Sequence, residues 1–363
     1  MILEIPLTFF AAATFLNQPI CLLLYPAIPW SRFFCRTSKM NNAPQASGEK
    51  LDKGQKQWYT DENPNAMLFW NDGKWLLSSS FCDNGNLINT KRSRQMKTVV
   101  ITGSSRGFGF CLASEFRRIG CNVVLSAVNE ENLRKAEAAL KNVGPGDAGV
   151  IRTVCDVTDS DALQRLWDLA KETFGAVDIW VNNAGVNSPD KPVWELTEKE
   201  ISFLLDTDLK GTVYGSKVAF AGMKEQGFGQ IYNVEGYGSN DAMMTGLTLY
   251  GTSKRAVTYF TRSLAKESRD LTGGRILVCR LTPGIMITDF LHTANGGSTR
   301  IELPEKTRKV YNILGDRPET IAEYAAPRML ANTKNDARII WLTNRRSFGR
   351  FLTAGFRKRD FFA

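Results

Sequence analysis

The chain has 363 residues, 43% apolar and 23% charged, with a formal net charge of +9. That is the composition of a globular protein with a sizeable core, and it excludes a disordered chain. A single histidine, His292, and seven scattered cysteines (Cys21, Cys35, Cys82, Cys111, Cys121, Cys155, Cys279), none in a CxxC pair, exclude zinc and di-metal sites on the usual spacings. They point to a reducing compartment and to chemistry without a metal. The positive charge is spread along the chain and forms no helix-long stripe, so nucleic acid is not an expected partner.

In chain order, the first stretch is "MILEIPLTFFAAATFLNQPICLLLYPAIPW" (1–30), which carries only Glu4 as a charge. Its length suits a membrane span, but Pro6, Pro19, Pro26 and Pro29 interrupt it, and Arg32, Arg36 and Lys39 follow it. Residues 1–36 are therefore expected to be a targeting or anchoring segment. Residues 37–95 are polar without a sustained period and are expected to be a linker.

From residue 97 apolar strands alternate with helical spacing. The strands are "KTVVIT" (97–102), "CNVVLS" (121–126), "VIRTVCD" (150–156), "DIWVNN" (178–183), "GQIYNV" (229–234) and "RILVCRLT" (275–282). The helices fall at 108–119, 130–141, 160–173, near 198–224 and at 249–268. This alternation predicts a doubly wound α/β domain, a parallel sheet covered on both faces, over residues 96–290. Residues 291–363 are expected to hold a substrate lid and a basic, aromatic tail. In that tail Arg345, Arg346, Arg350, Arg357, Lys358 and Arg359 alternate with Phe348, Phe351, Phe356, Phe361 and Phe362. Such interleaving suits a membrane surface or an anionic partner, or equally a solvated terminal helix.

The turn after the first strand, "GSSRGFG" (103–109), carries Gly103, Gly107 and Gly109 with Ser105, Arg106 and Phe108 between them. Glycines there allow backbone N–H groups to approach a diphosphate at the positive end of the following helix. The spacing is GxxxGxG, not GxGxxG, and its place at the first strand of a βαβ series gives it weight. The second strand ends in Ser126-Ala127-Val128 with no carboxylate to hold ribose hydroxyls, while Arg106 offers a guanidinium for a 2′-phosphate. The expected cofactor is NADP(H). Further on, Tyr250 and Lys254 in "LYGTSKRA" (249–256) stand at i and i+4, on one helical face. An ammonium near a phenol favours the phenolate and is expected to lower its pKa toward working pH, making an acid/base couple that needs no histidine.

TGSSRGFG (102–109), Asp156-Val157, Asn182-Asn183-Ala184-Gly185, Tyr250-xxx-Lys254 and Pro283-Gly284-xxx-Thr288 occur in the order and spacing of the short-chain dehydrogenase/reductase family, which residues 97 to about 290 resemble. Within it, "NVEGYGS" (233–239), "ETIAEYAAPRML" (319–330) and "IIWLTNRRSFGRFLTAGFRKRDFF" (339–362) look most like chlorophyll b reductases. The resemblance implies a Rossmann-type fold and assigns roles by position. Asp156 and Val157 would contact adenine. Asn183, Ala184 and Gly185 would stabilise the sheet centre and line the cofactor ribose. Thr288, after Pro283-Gly284, would hold the nicotinamide carboxamide, Tyr250 would be the acid, and Lys254 would also bind the nicotinamide ribose.

Two positions depart from the family. Gly236 stands where a catalytic serine is usual, with Ser239 the nearest hydroxyl and Tyr237 a second candidate. Asp208 replaces the usual helix asparagine, whose backbone carbonyl and a water serve a proton relay. The resemblance implies an NADPH-dependent reductase of a hydrophobic carbonyl compound, most concretely the 7-formyl group of chlorophyll b, reduced to hydroxymethyl. The alternatives are reduction of a ketoacyl thioester or lipid ketone, and a cofactor-binding scaffold with weak or no catalysis. A plastid or thylakoid membrane is the expected location, a cytoplasmic one the alternative, and both homo- and hetero-oligomers remain open.

Overall fold

The computed structural model describes residues 96–189, 191–288, 304–356 and 359–362, together with short strands in 57–87 and 293–300. The apolar segment 1–36, His292, Arg357 and Lys358 lie outside the described residues. The chain divides into two units after residue 91. In the first, β1 (Gln57–Thr60), β2 (Asn63–Asn71) and β3 (Lys74–Ser79) form an antiparallel three-stranded sheet, and β4 (Cys82–Asp83) pairs with β5 (Asn86–Leu87). The expected linker over 37–95 thus contains a sheet. Its sequence signal is Asp72-Gly73, a hairpin dipeptide between apolar runs, in otherwise polar surroundings.

The second unit runs β6 (Thr98–Thr102), α1 (Gly107–Arg118), β7 (Asn122–Ala127), α2 (Glu130–Leu140), β8 (Val150–Val154), α3 (Ser160–Phe174) and β9 (Ile179–Asn182). Then follow α4 (Glu198–Leu205), α5 (Gly211–Gln226), β10 (Gly229–Val234), α6 (Thr248–Thr272), β11 (Ile276–Thr282), the ribbon β12 (Thr293–Ala294) and β13 (Thr299–Arg300), α7 (Glu305–Leu314), α8 (Pro318–Ala331), β14 (Arg338–Ile340) and α9 (Asn344–Thr353). A seven-stranded sheet has the order β14-β11-β10-β9-β6-β7-β8, and every neighbouring pair in it is parallel.

All residues of β6 are buried, and their alternation divides the core. Val99 and Ile101 pack with Leu112 and Phe116 of α1, Leu133 of α2, and Ile321 and Ala325 of α8. Val100 packs on the other face with Leu163, Leu166 and Trp167 of α3, Val218 of α5 and Ala265 of α6. Helix starts are set by local polar chemistry: Asp159 caps α3 through Asp161 N–H (2.8 Å), and Thr197 with Glu200 forms a capping box on α4.

Two expectations change. The sheet domain does not end at 290, because α8 covers one face and β14 adds the last strand, Arg338 pairing with Arg280. A three-residue strand is too short to show an alternation in sequence. The helix expected near 198–224 is broken by a π turn at Asp206–Lys210, between α4 and α5.

Candidate active site

Strand order reverses between β6 and β9, the place where open parallel sheets bind ligands at strand carboxyl ends. The glycine turn lies there. Gly103 (φ 64°) and Gly107 (φ 57°) adopt left-handed backbone that other residues rarely take. A Cβ at Gly103 would lie 2.8 Å from Ala184 Cα, and one at Gly109 2.4 Å from Gly103 O. Asn183 clamps the turn from the neighbouring strand end. Its Nδ2 donates to the carbonyls of Thr102 (2.9 Å) and Gly103 (3.1 Å), and the Asn183 and Ala184 N–H groups donate to Thr102 Oγ1.

Beside the turn is a cavity of about 530 Å³ lined by Gly107, Phe110, Cys111, Ile287, Thr288, Arg317, Pro318, Glu319, Asp360 and Phe361. It brings Thr288 together with Gly107 of the glycine turn and adds Arg317, residues from α8 and the C-terminal segment. No side chain caps the start of α1, so its first N–H groups are open to an anion. These residues fit a dinucleotide diphosphate.

The end of the second strand holds no acid aimed at a ribose. Ser126 donates to the Ile101 carbonyl (3.3 Å), Glu130 pairs with Arg152, and Glu131 pairs with Arg134 (3.1 Å) and Lys135 (3.3 Å). Arg106 is exposed in the turn. Asp156 is exposed and its Oδ1 accepts from the N–H and hydroxyl of Thr158 (2.9 and 2.8 Å). Val157 is buried against Gly211, where an added Cβ would lie 2.6 Å from Val157 Cγ2. Gly284 (φ 78°) follows Pro283 where the chain turns from β11 toward Thr288.

On α6, Tyr250 and Lys254 share one buried face, and the ammonium lies 5.5 Å from the phenol ring centroid. Asp208, fully buried in the π turn, places Oδ2 2.9 Å from Lys254 Nζ while its Oδ1 accepts from Val186 N–H (2.8 Å). π turns recur at functional sites because they shift one side chain out of helical register. The carboxylate itself therefore enters the site. Its backbone carbonyl, the group that the resemblance implies for a relay, accepts from the Thr212 hydroxyl (2.7 Å).

The electrostatics correct the expected direction for Tyr250. Burial pushes its pKa up to about 12; the Lys254 ammonium pulls it down, and Asp208 adds a further upward push. Desolvation outweighs the neighbouring charge because the phenolate would lose its water with only one cation in compensation. For Lys254, burial disfavours the charged form, but Asp208 and Tyr250 oppose it and the net shift is upward. Burial raises the proton affinity of Asp208, with Lys254 acting against it. The site is thus a protonated phenol beside a charged ammonium.

The segment after β10 packs on this pair. A Cβ on Gly236 would lie 2.4 Å from Tyr250 Oη, so no side chain, and hence no hydroxyl, stands there unless the phenol moves. Ser239 is buried, and its hydroxyl accepts from Gly236 N–H (3.2 Å) and donates to the Lys254 carbonyl (3.3 Å). It braces the loop on α6. Tyr237 donates to the Met243 carbonyl (2.9 Å). Neither hydroxyl is left to polarise a substrate carbonyl in this arrangement.

Sequence reasoning missed Glu235, whose buried carboxylate accepts from Thr258 Oγ1 (2.8 Å), Thr282 Oγ1 (2.5 Å) and Arg338 Nε (2.7 Å). It ties the site loop to β14. An acid directly after an apolar strand was the signal. A second missed network holds strand ends together: Asn182 Nδ2 donates to Asn233 Oδ1 (2.8 Å) and Ser216 Oγ (3.0 Å), and Asn233 Nδ2 donates to Thr261 Oγ1 (2.9 Å). Among the described residues no cluster of metal-ligating side chains occurs, and Cys111, Cys121, Cys155 and Cys279 are free and buried. Burial pushes the Cys155 thiol up to about 12, away from nucleophilic character.

The short chain dehydrogenase family pattern matches residues 97–298. A rice (Oryza sativa) protein described as a "probable chlorophyll(ide) b reductase, chloroplastic" is 31% identical, over 87% of this chain and 64% of its own length. The chain therefore spans less than two thirds of that relative. A second rice protein, chlorophyll(ide) b reductase, chloroplastic, is 31% identical over 70% of this chain and 74% of its own. Among solved structures, an alcohol dehydrogenase from Thermococcus sibiricus, complexed with 5-hydroxy-NADP, is 26% identical with a TM-score of 0.56, covering 68% of this chain and 96% of that one. With the glycine turn, the Asn-Asn-Ala-Gly strand end and the Tyr250–Lys254 pair assembled at one switch point, the chain belongs to the short-chain dehydrogenase/reductase family of oxidoreductases, in which it is similar to chlorophyll(ide) b reductases.

Proposed function

We propose that the protein is an NADPH-dependent reductase of a large hydrophobic carbonyl compound, the 7-formyl group of chlorophyll b or chlorophyllide b, which becomes hydroxymethyl. The observation that carries the chemistry is the buried Tyr250 beside the Lys254 ammonium, with Asp208 behind it. The bound dinucleotide supplies the hydride. Tyr250 keeps its proton at neutral pH and gives it to the carbonyl oxygen, and the Lys254 ammonium stabilises the phenolate left behind. With Ser239 spent on the backbone, the phenol both polarises and protonates that oxygen. Asn183 and Ala184 hold the glycine turn, Gly185 packs against Asp208 and Lys254, Asp156 faces solvent where an adenine edge would lie, and Arg106 takes the 2′-phosphate.

Substrate size is supported by the rim. Trp194 (82% exposed) and Met243 (91%) lie on segments that leave the carboxyl ends of β9 and β10, the same end of the sheet as the site. Large apolar side chains left in water mark a binding surface. The relatives named above are described as acting on this substrate class.

The experiment is NADPH oxidation with detergent-dispersed chlorophyll b, run beside a ketoacyl thioester and a lipid ketone. Tyr250→Phe should lower turnover on chlorophyll b by roughly 10²–10⁴-fold and leave NADPH affinity unchanged. Full activity in that variant would sink the acid role and leave a cofactor-binding scaffold. Faster turnover of the thioester or the ketone would transfer the substrate assignment to it.

We also place the protein at a plastid membrane surface. No helix among the described residues is long and apolar enough to cross a membrane. Phe348, Phe351 and Leu352 are exposed at i, i+3 and i+4 of α9, and Phe356 follows. Arg346 stacks on Trp341 (3.7 Å), and Arg350 and Arg359 turn inward, so apolar side chains rather than these cations meet the lipid. The double variant Phe348→Ser, Phe351→Ser should lose flotation with thylakoid-lipid vesicles. Equal flotation of variant and wild type would refute this placement.

A further inference from the structure

We infer that Arg317 is a ligand of the cofactor diphosphate, supplied from outside the glycine turn. Arg317 is the residue before α8, and it lines the same cavity as Gly107 and Thr288. Its guanidinium is exposed and makes no ion pair or hydrogen bond with any described residue. The arginines of the nearby C-terminal segment behave differently. Arg350 and Arg359 pair with Asp316, at 2.6 and 3.1 Å.

The cavity also contains two acids, and neither is the partner of Arg317. Glu319 accepts from the Cys111 thiol (3.5 Å), and Asp360 accepts from the Asn312 amide (3.3 Å) and Phe362 N–H (2.9 Å). Without Arg317 the walls would carry only negative side-chain charge, and a diphosphate entering them would be repelled. With it, a fork of N–H donors lines the same cavity as the uncapped start of α1, and the pair suits a doubly charged bridging group. Neither α1 nor α8 is capped by a side chain, so both positive helix ends open on this cavity. Arg106, by contrast, lies within the turn itself and is assigned to the 2′-phosphate. The two arginines therefore read different phosphates of one molecule.

This inference rests on the dinucleotide cofactor and not on the identity of the carbonyl substrate. The test is a fluorescence titration of the full chain with NADPH and with NADH. Arg317→Ala should weaken both by the same factor, about tenfold for loss of a charge-assisted contact, and Arg317→Lys should recover part of it. Arg106→Ala should weaken NADPH alone. The melting temperature without cofactor should be the same for wild type and Arg317→Ala, because the guanidinium holds nothing in the protein. Unchanged affinity for both dinucleotides would overturn the inference. So would a loss confined to NADPH, which would give Arg317 the 2′-phosphate. A fall in cofactor-free melting temperature with no rescue by lysine would make the residue structural. If the wild type binds neither dinucleotide, the cofactor reading itself fails, which is a separate result.

Discussion

Asp208 and Asp316 are both buried aspartates that face cations, one at the carboxyl end of the sheet and one beneath the C-terminal segment. Asp208 meets a single ammonium and one backbone N–H in a pocket closed to water. Asp316 meets Arg350, Arg359 and the Trp341 indole (2.6 Å). Around Asp208 the sheet and its helices bury continuous apolar faces on both sides. Around Asp316 neither α7 nor α9 contains a buried residue, and the segment is fastened by polar bonds, with Arg359 also donating to the carbonyls of Asn312 (3.1 Å), Ile313 (2.9 Å) and Gly315 (2.5 Å). Asp208 acts on the proton affinity of the Tyr250–Lys254 pair, and Asp316 serves the attachment of the C-terminal segment. Apolar packing gives rigidity where chemistry needs fixed geometry. Polar fastening on a solvent-facing segment gives lower local stability than apolar packing.

The largest effect expected from this contrast is that of Asp208→Ala. It would leave the Lys254 ammonium buried without compensation, and urea unfolding should show a loss of about 3–5 kcal/mol. A loss below about 1 kcal/mol would mean that Lys254 finds water or another anion, and the two aspartates would then be alike. Asp316→Asn comes next, at about 1–3 kcal/mol for charged hydrogen bonds weakened at one acceptor. Its effect should be local: faster amide exchange in α7 and α9, with β6, β9 and β10 unchanged. Equal acceleration in the sheet would erase the distinction between the two regions.

The smallest effect concerns pH. Tyr250 holds its proton to about pH 12, above the ordinary 10 of an exposed phenol. Stability linked to that proton is complete below pH 10 and is lost as pH rises toward 12, because the unfolded chain ionises first. Asp208 raises the proton affinity of both Tyr250 and Lys254. Asp208→Asn, nearly the same shape without the charge, should therefore move the alkaline limb of the rate profile to lower pH. A limb that stays in place or moves upward would show that Asp208 does not set the pair's protonation.

Much of this site was legible before any coordinates. Strand ends, the glycine turn, and the spacing of Tyr250 and Lys254 are local properties, since a period of two or of 3.6 residues and an i,i+4 relation follow from backbone geometry alone. Five of the central strands therefore lie within a residue or so of where the apolar runs place them, and β8 stops two residues short of its run. Ser239 shows the limit of such reasoning. A hydroxyl near the right place in sequence was a reasonable candidate, but its hydrogen bonds to Gly236 and Lys254 depend on how a loop folds onto α6. The strand at 338–340 was missed for a related reason: three residues carry no periodicity, and β11 supplies the pairing.

The amino-acid sequence by itself determined the α/β class, the switch point as the place for a phosphate-bearing cofactor, and the tyrosine and lysine that face each other one helical turn apart. Each depends on residues close together in the chain. Only the tertiary structure decided the direction of the Tyr250 pKa, the carboxylate partner of Lys254, the glycine packed against the phenol, and the arginine before α8 that lines the cavity beside the glycine turn. Those depend on burial and on distances between segments 14 to 210 residues apart (Tyr250 to Gly236 differs by 14, Tyr250 to Asp208 by 42, Lys254 to Asp208 by 46, Arg317 to Gly107 by 210). Desolvation and Coulomb energy are set by three-dimensional surroundings, and no local spacing rule contains them.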